Sequence, residues 1–354
     1  NKERLPFGIK GLADRIEEMG MKFGLWFEPE MVNKDSDLYR AHPDWILHAP
    51  QRASCHGRNQ YVLDFSRKEV VDCIYDMMYK ILSESKISYI KWDMNRSITE
   101  CYSVALPADR QGEVFHRYIL GVYDLYDRLT TAFPQILFES CASGGGRFDP
   151  GMLYYAPQGW ISDDTDAAER VRIQYGTSMC YPISSMGSHV SVVPNHQLNR
   201  ITSLHTRANV AYFGTFGYEL DLNKLTDEEI AEVKAQIIFM KEYRELIQFG
   251  NFYRLKSPFD GNETVWMTVS EDKRKALVFW YRERNVVNAE FTRVRLQGLD
   301  PDLIYKNEYN GTENYGDELM NLGLLTTDVT AGEPTNEDLP CTDYESRIYV
   351  LTAE

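Results

Sequence analysis

At 354 residues the chain has room for one large domain or two ordinary ones. With 43% hydrophobic and 26% charged residues it can bury a substantial core, which excludes a disordered or membrane-spanning chain. Asp and Glu number 53 against 38 Lys and Arg, and the net charge of -15 repels nucleic acid and points to a neutral or small partner.

In chain order, Leu12, Ile16 and Met19 suggest an amphipathic helix before a strand at 21–27 (MKFGLWF). A short extended piece is expected at 61–65, then a helix through Ile74, Met78 and Ile81. A strand at 87–92 (ISYIKW) precedes a long helix around 115–129. Further strands are expected at 135–138 (QILF), 159–162, 183–189 and 209–213. The capping-box pair Thr226 and Glu229 opens a helix that ends near Gly250. Repeated strand–helix units predict a parallel α/β architecture. From residue 251 the texture changes to alternating segments at 264–269, 276–281, 291–296 and 347–351, which predict an antiparallel β domain over 251–354.

The six cysteines (Cys55, Cys73, Cys101, Cys141, Cys180 and Cys341) form no CxxC pair and no zinc-spaced cluster. They read as reduced, mostly buried thiols, which favours a cytoplasmic chain. The seven histidines are scattered, so no metal is expected. Sequons at Asn95, Asn262 and Asn310 carry no meaning without secretion.

In barrels of strand–helix units the chemistry sits at the carboxyl ends of the strands. Glu28 and Glu30 follow the first strand, and Lys91 to Arg96 stand at the end of ISYIKW. Glu139, Cys141 and the run Gly144-Gly145-Gly146 follow the third, and Asp163, Asp164 and Asp166 the fourth. Glu28 and Glu30 could equally be salt-bridged loop residues. The glycine run lacks a phosphate-loop frame, and is read as letting backbone approach a ligand closely. The aspartate cluster lacks the glycine and distal Glu of a calcium loop, and no GxSxG elbow is present. What remains is a pair of carboxylates on different strand ends, with Trp to face a sugar ring and Lys, Arg and Asn to bind hydroxyls. Glycoside hydrolysis uses such a pair. Lys91 lies two positions before Asp93, hence on the same face, placed either to donate to a hydroxyl and keep Asp93 ionised or merely to pair with a nearby carboxylate.

The segments FGLWFEPEMVN (23–33), YIKWDMNR (89–96), FESCASGGGRFDPGML (138–153) and WISDDTDA (160–167) closely resemble the bacterial α-galactosidases of glycoside hydrolase family 36. So do MGSHVS (186–191) and PNHQLNR (194–200). The resemblance implies a (β/α)8 TIM-type barrel and a C-terminal antiparallel β domain. It further implies retaining hydrolysis of terminal α-galactosides of the melibiose and raffinose type, without a cofactor. By motif, Asp93 corresponds to the nucleophile and Asp163 to the acid/base. Trp26, Arg58, Lys91, Asn95, Cys141 and Gly144 correspond to sugar-contacting positions, and Asp164 and Asp166 to residues that support Asp163. Six strands are counted over 1–250 where the family has eight. The chain is therefore expected to be the C-terminal portion of a longer enzyme, with a barrel that lacks its first strands. An inactive sugar-binding fragment, an α-N-acetylgalactosaminidase and a galactosyl transferase stay open as alternatives. By the same resemblance an α-galactoside is the expected partner and the full enzyme is expected to be a homo-oligomer, such as a tetramer; charge and composition give neither nucleic acid nor membrane as a partner.

Overall fold

The computed structural model of the protein describes residues 2–287, 291–326 and 343–353, so Asn1 and Cys341 lie outside the described residues. The chain forms two compact units, Asn1–Asp163 and Asp164–Glu354.

The first unit contains α1 (Gly8–Glu18), β1 (Phe23–Phe27), β2 (Met31–Asn33), α2 (Asp37–Ala41), β3 (Gln60–Val62), α3 (Lys68–Glu84) and β4 (Ile87–Trp92). α4 (Val114–Ala132), β5 (Leu137–Ser140), α5 (Pro150–Tyr155) and β6 (Gln158–Trp160) complete it. β1, β4, β5 and β6 lie side by side in that order, all parallel, while β2 and β3 form a small antiparallel pair. Strand alternation divides β4 between two faces. Ile90 and Trp92 are buried, and Trp92 stacks on Tyr126 of α4 with ring centroids 4.0 Å apart. Such an aromatic pair adds about 0.5–1.5 kcal/mol beyond its buried area. Around it Val70, Ile74 and Met78 of α3 and Val122, Leu125 and Leu129 of α4 complete the core. Tyr89 and Lys91 turn to the other face.

Two helical stripes differ from the sequence expectation. In α1 Ala13 alone is fully buried, with Ile9 packed partly against the core, whereas Leu12 and Met19 are exposed. In α3 the buried stripe passes through Leu82, not Ile81. The strand expected at 135–138 starts at Leu137 and runs on to Ser140, so Glu139 lies inside β5.

The second unit begins with α6 (Ala167–Ser178), β7 (Met186–Ser191), α7 (Leu204–Ala211), β8 (Thr215–Glu219) and α8 (Asp227–Phe249). β7 and β8 pair in parallel, and α8 opens with the expected Thr226/Glu229 capping box. Residues 183–185 form a 3₁₀ turn, so that strand starts later than expected. The strand expected at 209–213 is instead the end of α7 and the turn after it. Ala208, Val210, Ala211, Tyr212 and Phe213 are all buried there, and a short run apolar on every side does not distinguish a buried helix from a strand. The strand is β8, a few residues later. Among the described residues the parallel strand–helix units thus number six, four in the first unit and two in the second.

The rest is antiparallel: β9 (Asn251–Lys256), β10 (Glu263–Val269), β11 (Lys275–Arg282), β12 (Arg293–Val294), β13 (Ile304–Asn307), β14 (Glu313–Tyr315), the short α9 (Gly316–Asn321), β15 (Leu324–Leu325) and β16 (Glu345–Ala353). The main sheet has the order β14-β13-β16-β11-β10-β9. Val265, Met267, Val278, Trp280, Tyr349 and Leu351 fill its core. The segment expected at 291–296 is only the two-residue β12, paired with β15. This is the α/β fold class implied by the resemblance, with barrel-type strand–helix units followed by an antiparallel β domain.

The thiols depart from the mostly buried pattern. Cys141 is buried, Cys73 and Cys101 are half-buried, and Cys55 and Cys180 are exposed. Among the described residues no helix is long and apolar enough to cross a membrane.

Candidate active site

Register builds the site. Lys91 on β4 lies between Trp26 on β1 and Glu139 on β5, and Glu139 pairs in turn with Gln158 on β6. One row of side chains therefore crosses four strands on the face away from the α3–α4 core. Beyond β4 the ladder continues. The Asp93 N–H donates to the Phe27 carbonyl at 2.8 Å, the Cys141 N–H to Trp92 at 2.7 Å, and the Met94 N–H to Cys141 at 3.1 Å. The backbone of Asp93 is thereby held on both sides.

The Asp93 carboxylate is buried and surrounded by donors. Its Oδ2 accepts from Asn95 Nδ2 at 2.6 Å and from Trp26 Nε1 at 3.2 Å, and its Oδ1 accepts from the Met94 N–H at 2.9 Å. Burial pushes the carboxyl up, but the donors outweigh it: Asn95, the Cys141 thiol, Trp26 and the Met94 N–H together hold it below the usual carboxylate range. Cys141 answers in the opposite sense. Burial, and then the charge and hydrogen bond of Asp93, push its thiol up to about 12, so it stays protonated and donates.

Lys91 points to the same face but pairs with Glu139, its Nζ 3.2 Å from Oε1 and 4.6 Å from the centroid of the Trp160 ring. Glu139 is 1% exposed, and its Oε2 also accepts from Tyr89 Oη and from Gln158 Nε2 at 2.5 Å. Burial first, then the Glu139 charge, drive the Tyr89 phenol far above its ordinary value. The donors that lower the Asp93 carboxyl are those of Asn95, Cys141, Trp26 and Met94.

Asp163 is exposed, and its Oδ1 accepts from Trp160 Nε1 at 3.0 Å. Trp160 therefore touches both Lys91 and Asp163. The glycine run packs against this segment. Gly144 has φ +80, and a Cβ there would lie 2.9 Å from both the Asp163 nitrogen and the Ser162 Cα. A Cβ on Gly145 would lie 2.5 Å from the Ile161 carbonyl oxygen. The loop after β5 packs directly on the backbone that carries Asp163.

The two glutamates after β1 separate. Glu30 is fully buried and accepts from both guanidinium nitrogens of Arg147 (2.8 and 2.9 Å), from Trp92 Nε1 at 2.8 Å and from Tyr118 Oη at 2.5 Å. It is a structural ion pair. Glu28 instead accepts from Asn95 at 2.7 Å, Gln60 at 2.8 Å and Arg58 at 3.3 Å. Arg58, half exposed with a left-handed φ of 55, joins the group through Glu28. In the second unit Asp164 Oδ1 accepts from the Asp166 N–H, while buried Asp166 caps α6 and pairs with Arg200.

The first unit thus gathers Asp93, Trp26, Asn95 and Cys141 in direct contact, Lys91 and Asp163 through Trp160, and Gly144 against Asp163. Sequence reasoning named no partner for Glu28, which it left open between a pocket carboxylate and a salt-bridged loop residue, and none for Glu139 or Trp160. The register of β4 against its neighbours was the signal for Glu139.

The sequence profile described as Melibiase matches residues 1–250, and that of the glycosyl hydrolase family 36 C-terminal domain matches 263–351. Alpha-galactosidase AgaA of Geobacillus stearothermophilus is 55% identical over 92% of this chain and 44% of its own length. Alpha-galactosidase Mel36A of Lactobacillus acidophilus is 52% identical over 91% of this chain and 44% of its own length. The chain thus spans less than half the length of these relatives. The crystal structure of a variant of GH36 alpha-galactosidase AgaA from Geobacillus stearothermophilus in complex with raffinose superimposes with a TM-score of 0.94 at 51% identity, covering 100% of this chain and 48% of that one. By profile, sequence and fold, the chain belongs to the Melibiase family of glycoside hydrolase family 36.

Proposed function

We propose that the chain carries the catalytic carboxylates of a retaining α-galactosidase acting on terminal α-linked galactose in substrates of the melibiose and raffinose type. The observation that carries this reading is the Asp93 carboxylate, buried yet held below the usual carboxylate range by four donors, with an exposed second carboxylate, Asp163, just after β6. The names of the relatives and the raffinose held by one of them support the substrate class.

Asp93 attacks the anomeric carbon from the β face while the protonated Asp163 gives its proton to the departing glycosidic oxygen. The carbon–oxygen bond breaks and a β-galactosyl ester of Asp93 remains. Asp163, now a carboxylate, takes a proton from water as that water attacks from the α face. The ester bond breaks, and α-galactose leaves with Asp93 and Asp163 restored. This sequence needs carboxyl groups about 5–5.5 Å apart. Trp26 offers its indole to the ring, and Lys91, Arg58, Asn95, Cys141 and Gly144 line the sugar site. We assign the barrel portion to 1–250 and the β domain to 251–354, place the enzyme in the cytoplasm, and take it to work as a homo-oligomer.

The test is NMR of the sugar first released from an aryl α-galactoside. The α anomer is expected first. The β anomer first would overturn retention, and no hydrolysis at all would favour a sugar-binding role.

A further inference from the structure

Around the nucleophile two carboxylates share one amide. Asn95 Nδ2 has two hydrogens, one directed to Asp93 Oδ2 at 2.6 Å and the other to Glu28 Oε1 at 2.7 Å. Asn95 Oδ1 is met from the other side by the Ser143 hydroxyl at 3.3 Å. An amide can turn over, and with its oxygen toward Asp93 it would oppose a carboxylate instead of donating to it. Glu28 makes that flip unfavourable, because the same flip would set oxygen against oxygen a second time.

Glu28 is itself well held. Its side chain is 6% exposed, Oε2 accepts from Gln60 Nε2 at 2.8 Å, and Oε1 also meets Arg58 at 3.3 Å. Arg58 and Asn59 both adopt left-handed backbone (φ 55 and 60), a conformation that side chains other than glycine adopt at a cost. One carboxylate after β1 therefore anchors a residue after β4 and the strained turn before β3.

We propose that Glu28 is a positioning residue of the active site: it orients the Asn95 amide so that it donates to Asp93, and it holds the Arg58 guanidinium at the same site. The proposal rests on the assignment of Asp93 as nucleophile. The groups facing Asp93 and Asn95 are Glu28 after β1, Arg58 before β3, Lys91 on β4 itself, and Cys141 after β5. Of these, Glu28 is the one whose loss releases Asn95.

The experiment compares kcat/KM on an aryl α-galactoside for the full chain and four variants, with thermal unfolding as a control. Glu28→Gln offers one acceptor oxygen where two are used, and is expected to lower kcat/KM at least tenfold. Asn95→Ala is the second single substitution, and the double variant Glu28→Gln/Asn95→Ala should lose clearly less than the product of the two separate losses, because Glu28 acts on Asp93 through Asn95 and its hold on Arg58 is a separate contact. Glu28→Asp keeps the charge but draws the carboxylate back by one methylene. It should move the acidic limb of the kcat/KM profile to higher pH, since Asp93 loses its closest donor while the charge stays. A purely structural Glu28 would lower the melting temperature and leave that limb in place. Full additivity of the two single substitutions, or an unmoved limb in an active Glu28→Asp, overturns the proposal. If the unsubstituted chain does not hydrolyse α-galactosides, the assignment of function fails first, a result distinct from either.

Discussion

The Cys141 thiol and the Asp93 carboxylate are a donor–acceptor pair that pull in opposite senses: burial first and then the Asp93 charge push the thiol up to about 12, and the thiol, after Asn95, is one of the donors that hold the acid below its ordinary range. Removing the thiol in Cys141→Ala takes one donor from the charged form, so Asp93 should ionise less readily. The acidic limb of kcat/KM is expected to move to higher pH, while Cys141→Ser, which keeps a donor, should largely restore it. The sign carries over to stability. A carboxyl depressed by folding stabilises the fold above its unfolded value of about 3.9 and loses that contribution as pH falls through the folded value. An unchanged limb in Cys141→Ala would contradict the pairing.

Lys91 bears on both activity and folding. Lys91→Met is expected to cost about 3–4 kcal/mol of transition-state stabilisation, comparable to losing one aimed donor. Because Glu139 is then left buried without its cation, unfolding by urea should also occur at lower denaturant. The double variant Lys91→Met/Glu139→Gln should regain stability without regaining activity. Normal kinetics for Lys91→Met would reduce the residue to a structural partner of Glu139.

The Glu30–Arg147 pair is a separate matter of stability. Arg147→Met leaves a fully buried carboxylate with only Trp92 and Tyr118 as donors, and breaking such a pair costs about 3–5 kcal/mol. The denaturant midpoint should fall accordingly. A loss below 1 kcal/mol would mean that water or another cation reaches Glu30 once Arg147 is gone.

Gly144→Ala tests the contact between the loop after β5 and the Asp163 segment. At φ +80 a side chain costs on the order of 1–3 kcal/mol, and here its Cβ would also meet backbone at 2.9 Å. The Asp163 segment must shift, so slow alkyl galactosides should suffer more than activated aryl ones, which depart with little protonation. Equal losses on both substrates would place the damage elsewhere.

Much of this architecture was legible in the chain because β4 writes its two faces as alternating residues: Ile90 and Trp92 to the core, Lys91 and Asp93 to the site. The capping box at Thr226 and Glu229 marked α8 equally well. The run at 209–213 was not legible, since apolar residues on every side of α7 carry no period. The partners of Lys91 and Asn95 were hidden for another reason. Which strand-end carboxylate meets which donor depends on register between β1, β4 and β5, and one strand read alone does not carry it. Nor did the glycine run disclose that its neighbour is the Asp163 backbone.

The central claim is the division of labour between Asp93 and Asp163, and azide tests it most directly. On an aryl α-galactoside, Asp93→Gly with azide should release β-galactosyl azide, because the anion replaces the missing nucleophile on the β face. Asp163→Gly should release α-galactosyl azide, because there the anion attacks the β-linked ester of Asp93 from the opposite side. The two anomers exchanged between the variants would reverse the roles and contradict the account.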